Sequence, residues 1–103
     1  MLERDYQAKL IKKLNRMFPG CVILKNDTSY LQGIPDLLVL FKDYWAMLEV
    51  KPSYKFTFEP NQEYYIRELA RMSFAAVICP ENEDEVLDAL QYTFSARRQA
   101  RLS

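Results

Sequence analysis

The sequence predicts a single α/β domain in the order αβββαβα, with a central mixed four-stranded sheet flanked by helices. Two observations lead there. An amphipathic segment is followed by three short apolar runs in quick succession, and then by a second amphipathic segment, a fourth apolar run and a third amphipathic segment. Helical stretches on either side of consecutive strands place helices against a sheet. The chain has 103 residues, half of them apolar, which is enough for one modest core and leaves no room for a second. The domain is assigned to residues 1–95, and residues 96–103 to a basic C-terminal tail.

The elements follow in order. Glu3, Gln7, Leu10 and Leu14 share one face of a helix expected from about Leu2 to Phe18 and closed by Pro19-Gly20. Cys21 to Lys25 makes a first strand, followed by a polar loop from Asn26 to Gln32. The run Pro35 to Phe41 is apolar, branched and short enough for a strand buried on both faces. In the next strand, Trp45 to Lys51, the two-residue period puts Trp45, Met47, Glu49 and Lys51 on one face and Ala46, Leu48 and Val50 on the other. Lys42-Asp43-Tyr44 joins these two strands with hairpin length but no glycine. Pro60 opens a helix reaching Met72, with Gln62, Ile66 and Leu69 on one side. Phe74 to Cys79 is the last strand. Asn82 and Glu85 are expected to form a capping box for a third helix that runs through Val86, Leu90 and Phe94 behind an acidic first turn.

Chemistry concentrates at the hairpin, because pairing across it brings Asp36 beside Glu49. Two carboxylates close together on an apolar sheet repel and resist burial, so a positive charge must offset them. A divalent cation with hard oxygen ligands does so; Mg²⁺, or Mn²⁺ in its place, keeps several waters and leaves a position for a phosphate oxygen. The expected protein ligands are Asp36, Glu49 and the carbonyl of Val50. Lys51 points the same way as Glu49, placed to orient or activate the attacking water or to neutralise a pentacovalent phosphate. A glutamate and a lysine two apart in a strand are ordinarily a solvated face. Here their neighbours are apolar, and Gly33 and Pro35 shape the approach to Asp36. The expected reaction is metal-dependent phosphodiester hydrolysis, provided the register holds: a slip of one residue turns the lysine away.

Composition removes other chemistries. With no histidine in the chain, histidine-activated nucleophiles, zinc-histidine sites and histidine-metal nucleases are excluded. Cys21 and Cys79 lack metal-ligand spacing and are expected to be buried free thiols. The longest apolar runs are far too short to cross a bilayer and the first residues lack a signal-peptide pattern, so an intracellular protein without membrane association is expected.

A net charge of zero hides an asymmetry. Lys9, Lys12, Lys13 and Arg16 form a basic stripe on the first helix, whereas Glu81, Glu83, Asp84, Glu85 and Asp88 form an acidic patch. Such a run is commonly a solvated face. Together with Lys25, Lys55, Arg67 and Arg71, the stripe could also supply sequence-independent phosphate contacts. Arg97, Arg98 and Arg101 make the tail basic, either as a DNA grip or as a frayed end.

From Glu3 to about Leu90 the chain resembles the PD-(D/E)XK nuclease superfamily, and more narrowly the small VRR-NUC domains of phages and some repair nucleases. The resemblance rests on the order and spacing of Gly33-x-Pro35-Asp36, Glu49-Val50-Lys51, Gln62 opening the next helix, and Lys25-Asn26 on the preceding strand. Ser73 departs from it, since relatives usually carry glycine after this helix. The resemblance implies a restriction-endonuclease-like core, a role for Glu3 in holding metal or water, and a role for Gln62 in orienting the lysine or water. Without it, Glu3 is equally well a first-turn acid facing the helix dipole, and Gln62 a capping or exposed amide. Tyr54, Phe56, Phe58, Tyr64 and Tyr65 add so many aromatics near the site that a partner surface is expected. A homodimer with two sites would suit paired incisions in a Holliday junction or other branched DNA. The alternatives are a nicking or flap nuclease, or a non-catalytic DNA-binding or scaffold protein that keeps the fold.

Overall fold

Alternation along one central strand organises the molecule. In this computed structural model, which describes the backbone of residues 1–102 and the side chains of residues 1–95, Tyr44, Ala46, Leu48 and Val50 are buried in turn along Tyr44–Val50, labelled β3. Before it come α1 (Glu3–Met17), β1 (Val22–Lys25) and β2 (Leu37–Phe41); after it come α2 (Gln62–Met72), β4 (Phe74–Ile78) and α3 (Glu83–Leu102). The order αβββαβα is the expected one. The sheet is mixed, in the order β1-β2-β3-β4, with β1, β2 and β3 antiparallel in succession and β4 parallel to β3. That last pairing needs a crossover, and α2 provides it.

The core lies on the face where Leu37, Val39, Ala46, Leu48, Val50 and Ile78 point. There α1 contributes Tyr6, Leu10, Leu14 and Phe18 at spacings of four, while α3 contributes Val86, Leu87, Leu90 and Phe94. Each fully buried leucine contributes about 1.5–3 kcal/mol. The start of α3 is tied to α1 by Glu83, which accepts from the Tyr6 hydroxyl at 2.8 Å and from Lys13 Nζ at 2.7 Å.

Several expectations need correction. The run Pro35 to Phe41 is not buried on both faces: Leu37 and Val39 are buried, but Leu38 is half-buried and Leu40 exposed. The reason is coverage, because α2 contacts β4 and β3 and none of its principal contacts is with β1 or β2. Asn82 does not form the capping box with Glu85. Its side chain turns back to accept from Cys79 N at 2.8 Å and donate to the Val77 carbonyl at 3.0 Å, fastening the end of β4 to the start of α3. Pro60 belongs to a turn, with α2 beginning two residues later at Gln62. Cys79 is buried but Cys21 only half-buried; both are free and lie just outside β4 and β1. Residues 96–102 continue α3 as backbone, while the side chains of Arg97, Arg98 and Arg101 lie outside the described residues. Ser73 closes α2 with a φ of −152°, extended backbone that any residue adopts, and its hydroxyl donates to the Trp45 carbonyl.

Gly33 sets how closely the loop before β2 approaches the start of α2. Its φ is +93°, and a Cβ there would stand 2.6 Å from Asn61 Cβ and 2.8 Å from the Pro60 carbonyl oxygen. Asn61 is itself left-handed, with φ of 71°, a conformation asparagine tolerates better than most residues. Gly33→Ala is therefore expected to destabilise the fold by about 1–3 kcal/mol through strain and overpacking. A urea midpoint equal to wild type would contradict this close approach.

Candidate active site

The β2–β3 register places the acids. Leu37 pairs with Leu48, so Asp36, one residue earlier, stands opposite Glu49, one residue later. The two-residue turn tightens this pairing, with Phe41 opposite Tyr44 and Lys42 in the left-handed region at φ 58°. Asn26 holds the other end: its backbone N–H donates to the Asp36 carbonyl at 2.8 Å and its side chain donates to the Pro35 carbonyl at 2.8 Å. Asp36 Oδ2 in turn accepts from Val50 N at 2.8 Å. A strand residue directs its N–H and C=O to the same edge, so the Val50 carbonyl opens toward the Asp36 side.

Glu49 and Lys51 emerge on the face opposite the core, where the start of α2 covers them. Gln62 is the keystone of that cover. Its Nε2 donates to Glu49 Oε2 at 2.9 Å, and its Oε1 accepts from Lys51 Nζ at 3.0 Å and from Glu59 N at 2.9 Å. Lys51 Nζ also lies 3.6 Å from Glu49 Oε2. All three side chains are buried. Glu49 Oε1 is buried with no hydrogen-bond partner, a costly state for a carboxylate oxygen.

These groups line one cleft of about 340 Å³ with Glu3, Thr28, Gln32, Gly33, Ile34 and Glu59. The five residues expected to act, Glu3, Asp36, Glu49, Lys51 and Gln62, are thus brought together. Glu59 is an addition that the sequence did not mark, since a lone acid in a polar connection carries no signal. Four carboxylates face one lysine. Burial and then Asp36 push the Glu49 carboxyl up to about 7. Burial raises Asp36 above the usual carboxylate range despite the Val50 hydrogen bond, and burial followed by Asp36 raises Glu3.

The donor set fits a hard divalent cation. It offers carboxylate and carbonyl oxygens only, an excess of negative charge, and a buried oxygen in want of a partner. Among the described residues, no three Asp, Glu or Cys side chains converge on one point. Asp36, Glu49 and the Val50 carbonyl are the groups that would hold such an ion, with Glu3 lining the same cleft.

The basic residues are not gathered at this cleft. Lys9, Lys12 and Arg16 line a separate groove of about 390 Å³ with Met1, Tyr6, Lys13, Pro80 and Glu83. Lys13 is bound to Glu83, Arg67 pairs with Glu63 at 3.3 Å and Arg71 with Glu68 at 3.6 Å. Lys25 pairs with Leu37 on the core side of the sheet and is exposed at its edge. Lys55 lies in the connection after β3, with its Nζ 5.9 Å from the Tyr54 ring centroid. No helix among the described residues is long and apolar enough to cross a membrane.

Against family models, characterised proteins and solved structures, the chain shows no match.

The raised Glu49 carboxyl has a consequence for stability. Between about 4.5, its ordinary value, and about 7 the folded chain holds a proton that the unfolded chain has released. Stability without divalent cations should therefore fall as pH rises through that window, by at most about 3 kcal/mol. In EDTA the urea midpoint is expected to be lower at about pH 8 than at about pH 5 for wild type, and Glu49→Gln should flatten that difference. A wild-type midpoint that climbs over the same interval would contradict the burial of an unneutralised carboxylate.

Proposed function

We propose that the chain is a Mg²⁺- or Mn²⁺-dependent DNA endonuclease with a restriction-endonuclease-like core of the PD-(D/E)XK type, similar in motif order to VRR-NUC domains, acting on branched DNA such as a Holliday junction. The observation that carries this reading is the buried, unpartnered Glu49 Oε1 opposite Asp36, beside a lysine held by Gln62. A scaffold has no use for such a costly cluster.

A bound divalent cation would supply charge neutralisation at the scissile phosphate and a more acidic water. The remaining steps belong to the protein. Asp36 and Glu49 would hold the ion, with the Val50 carbonyl completing the set. Gln62 fixes the Lys51 ammonium through its Oε1 while bonding Glu49 through its Nε2, so lysine and acid are held in one geometry. Lys51 would then orient the attacking water and meet the charge that develops on the phosphoryl oxygens. Glu3, at the mouth of the cleft, would position water on the opposite side. Purified protein incubated with junction, flap, linear and single-stranded DNA is expected to cut branched DNA only with Mg²⁺ or Mn²⁺. Asp36→Ala should lower the rate by at least about 100-fold. Metal-independent cleavage, or cleavage unchanged by that substitution, would refute the assignment.

The homodimer is part of the same proposal. Two cross-strand rows on the face that α2 leaves bare, Val22–Leu40–Trp45 and Leu24–Leu38–Met47, form an apolar patch. Val22, Leu24 and Leu40 in it are exposed. Tyr30 and Leu31 extend the patch around a hollow of about 390 Å³. The patch ends at the free edge of β1, and a twofold axis there lets identical surfaces cover each other. Light scattering at micromolar concentration is expected to give a dimer that Leu24→Lys converts to monomer; a wild-type monomer would remove the dimer from the proposal.

A further inference from the structure

The connection from Lys51 to α2 carries an alternating aromatic series that the hydrolytic site does not use. Tyr54 is 61% and Phe58 40% exposed, so part of each side chain is open to solvent. Both ends of this connection are anchored. Tyr54 N donates to Glu81 at 3.1 Å, and Glu59 N donates to Gln62 at 2.9 Å. Between the anchors, Phe56 and Phe58 pack edge to face, with centroids 5.2 Å apart and planes at 78°. Lys51 Nζ stands 5.6 Å from the Phe56 centroid. The exposed Phe58 ring is therefore in van der Waals continuity with the ammonium group assigned to the scissile phosphate, at most about 11 Å from it. Lys55, between Tyr54 and Phe58 in the chain, adds a positive charge, its Nζ 5.9 Å from the Tyr54 centroid.

We propose that Phe58 and Tyr54 form a stacking platform for an unpaired nucleobase within a nucleotide or two of the phosphate that is cut. An aromatic face next to a cation matches a nucleotide, whose base has a π-face and whose phosphate is negative. A base inside an intact duplex is stacked on its neighbours and has no free face to offer. The platform therefore selects DNA in which pairing is interrupted beside the cut, as at a flap, a bulge or a branch point whose flanking pair has opened. The inference rests on the nuclease reading for which phosphate is cut, but base stacking has a readout of its own. A second copy of the chain is the other occupant such rings could take, and the bare β1–β2 face is better placed for that role.

The test uses the full chain in EDTA, so that no cleavage intervenes, at one fixed salt concentration. The probes are a fully paired duplex and the same duplex interrupted by a short unpaired segment containing 2-aminopurine. Wild type is expected to bind the interrupted DNA more tightly and to quench the probe. Phe58→Ala and Tyr54→Ala should each weaken binding to the interrupted DNA by about 5- to 100-fold, while leaving the paired duplex within about twofold. Phe58→Trp should retain binding, and Phe58→Leu, which keeps apolar bulk without the π-face, should not. Equal losses on both DNAs, no loss on either, or a change of oligomeric state in the alanine variants would overturn the platform. A preserved split between the two DNAs in a protein that cuts nothing with Mg²⁺ would uphold the platform and reject the nuclease reading. Metal-dependent cleavage without the split would do the reverse.

Discussion

Two carboxylates held face to face by a strand register are the constraint on which the rest of this structure depends. Asp36 and Glu49 meet because a two-residue turn pairs Phe41 with Tyr44 and the ladder then runs without a bulge to Leu37 and Leu48. The core enforces that register. A slip of one residue would exchange Ala46, Leu48 and Val50, all fully buried, for Trp45, Met47 and the charged Glu49. Hydrophobic burial on one face thus holds two like charges together on the other.

The second element of the site comes from α2, which serves as crossover and as cover for Glu49 and Lys51 at once. Its first residue, Gln62, satisfies lysine, glutamate and a loop N–H together. It can do so only because the Pro60–Asn61 turn sits against Gly33, where no Cβ intervenes. The loop carrying Asp36 and the helix carrying Gln62 are therefore fitted to each other directly. Asn26 adds a third tie, clamping Pro35 and Asp36 from the end of β1. The site is built from chain segments between residues 3 and 62, while α3 and β4 supply the packing behind it.

Much of this was legible in the sequence, for physical reasons that differ by element. The two-residue period along Tyr44–Val50 separates a core face from a chemical face without any tertiary knowledge, and the hairpin length then brings Asp36 to Glu49. Helix one was legible from Leu10 and Leu14. What escaped was whatever depends on distant partners. Lys13 looked like one member of a basic stripe, but its charge is taken by Glu83, seventy positions away. Leu38 and Leu40 read as buried because their run is apolar, yet their exposure is decided by where α2 lands. Asn82 has the right spacing for a capping box and bonds backward to β4 instead. Glu59 had no local signal, and Asn26 stood out only as part of the motif order, without its clamping role. The side chains of the basic C-terminal residues lie beyond what the structure describes.

The decisive property of the carboxylate pair is whether it takes up a divalent ion in place of a proton. Because the Glu49 carboxyl is raised to about 7, binding near neutral pH must displace a proton as well as fill the site. Titration calorimetry of wild type with Mn²⁺ in buffers of different ionisation enthalpy reads both at once. The expected result is saturable binding accompanied by a fraction of a proton released at about pH 6.5, vanishing at about pH 8.5. Absence of binding at millimolar Mn²⁺, or binding with no proton release at either pH, would contradict it.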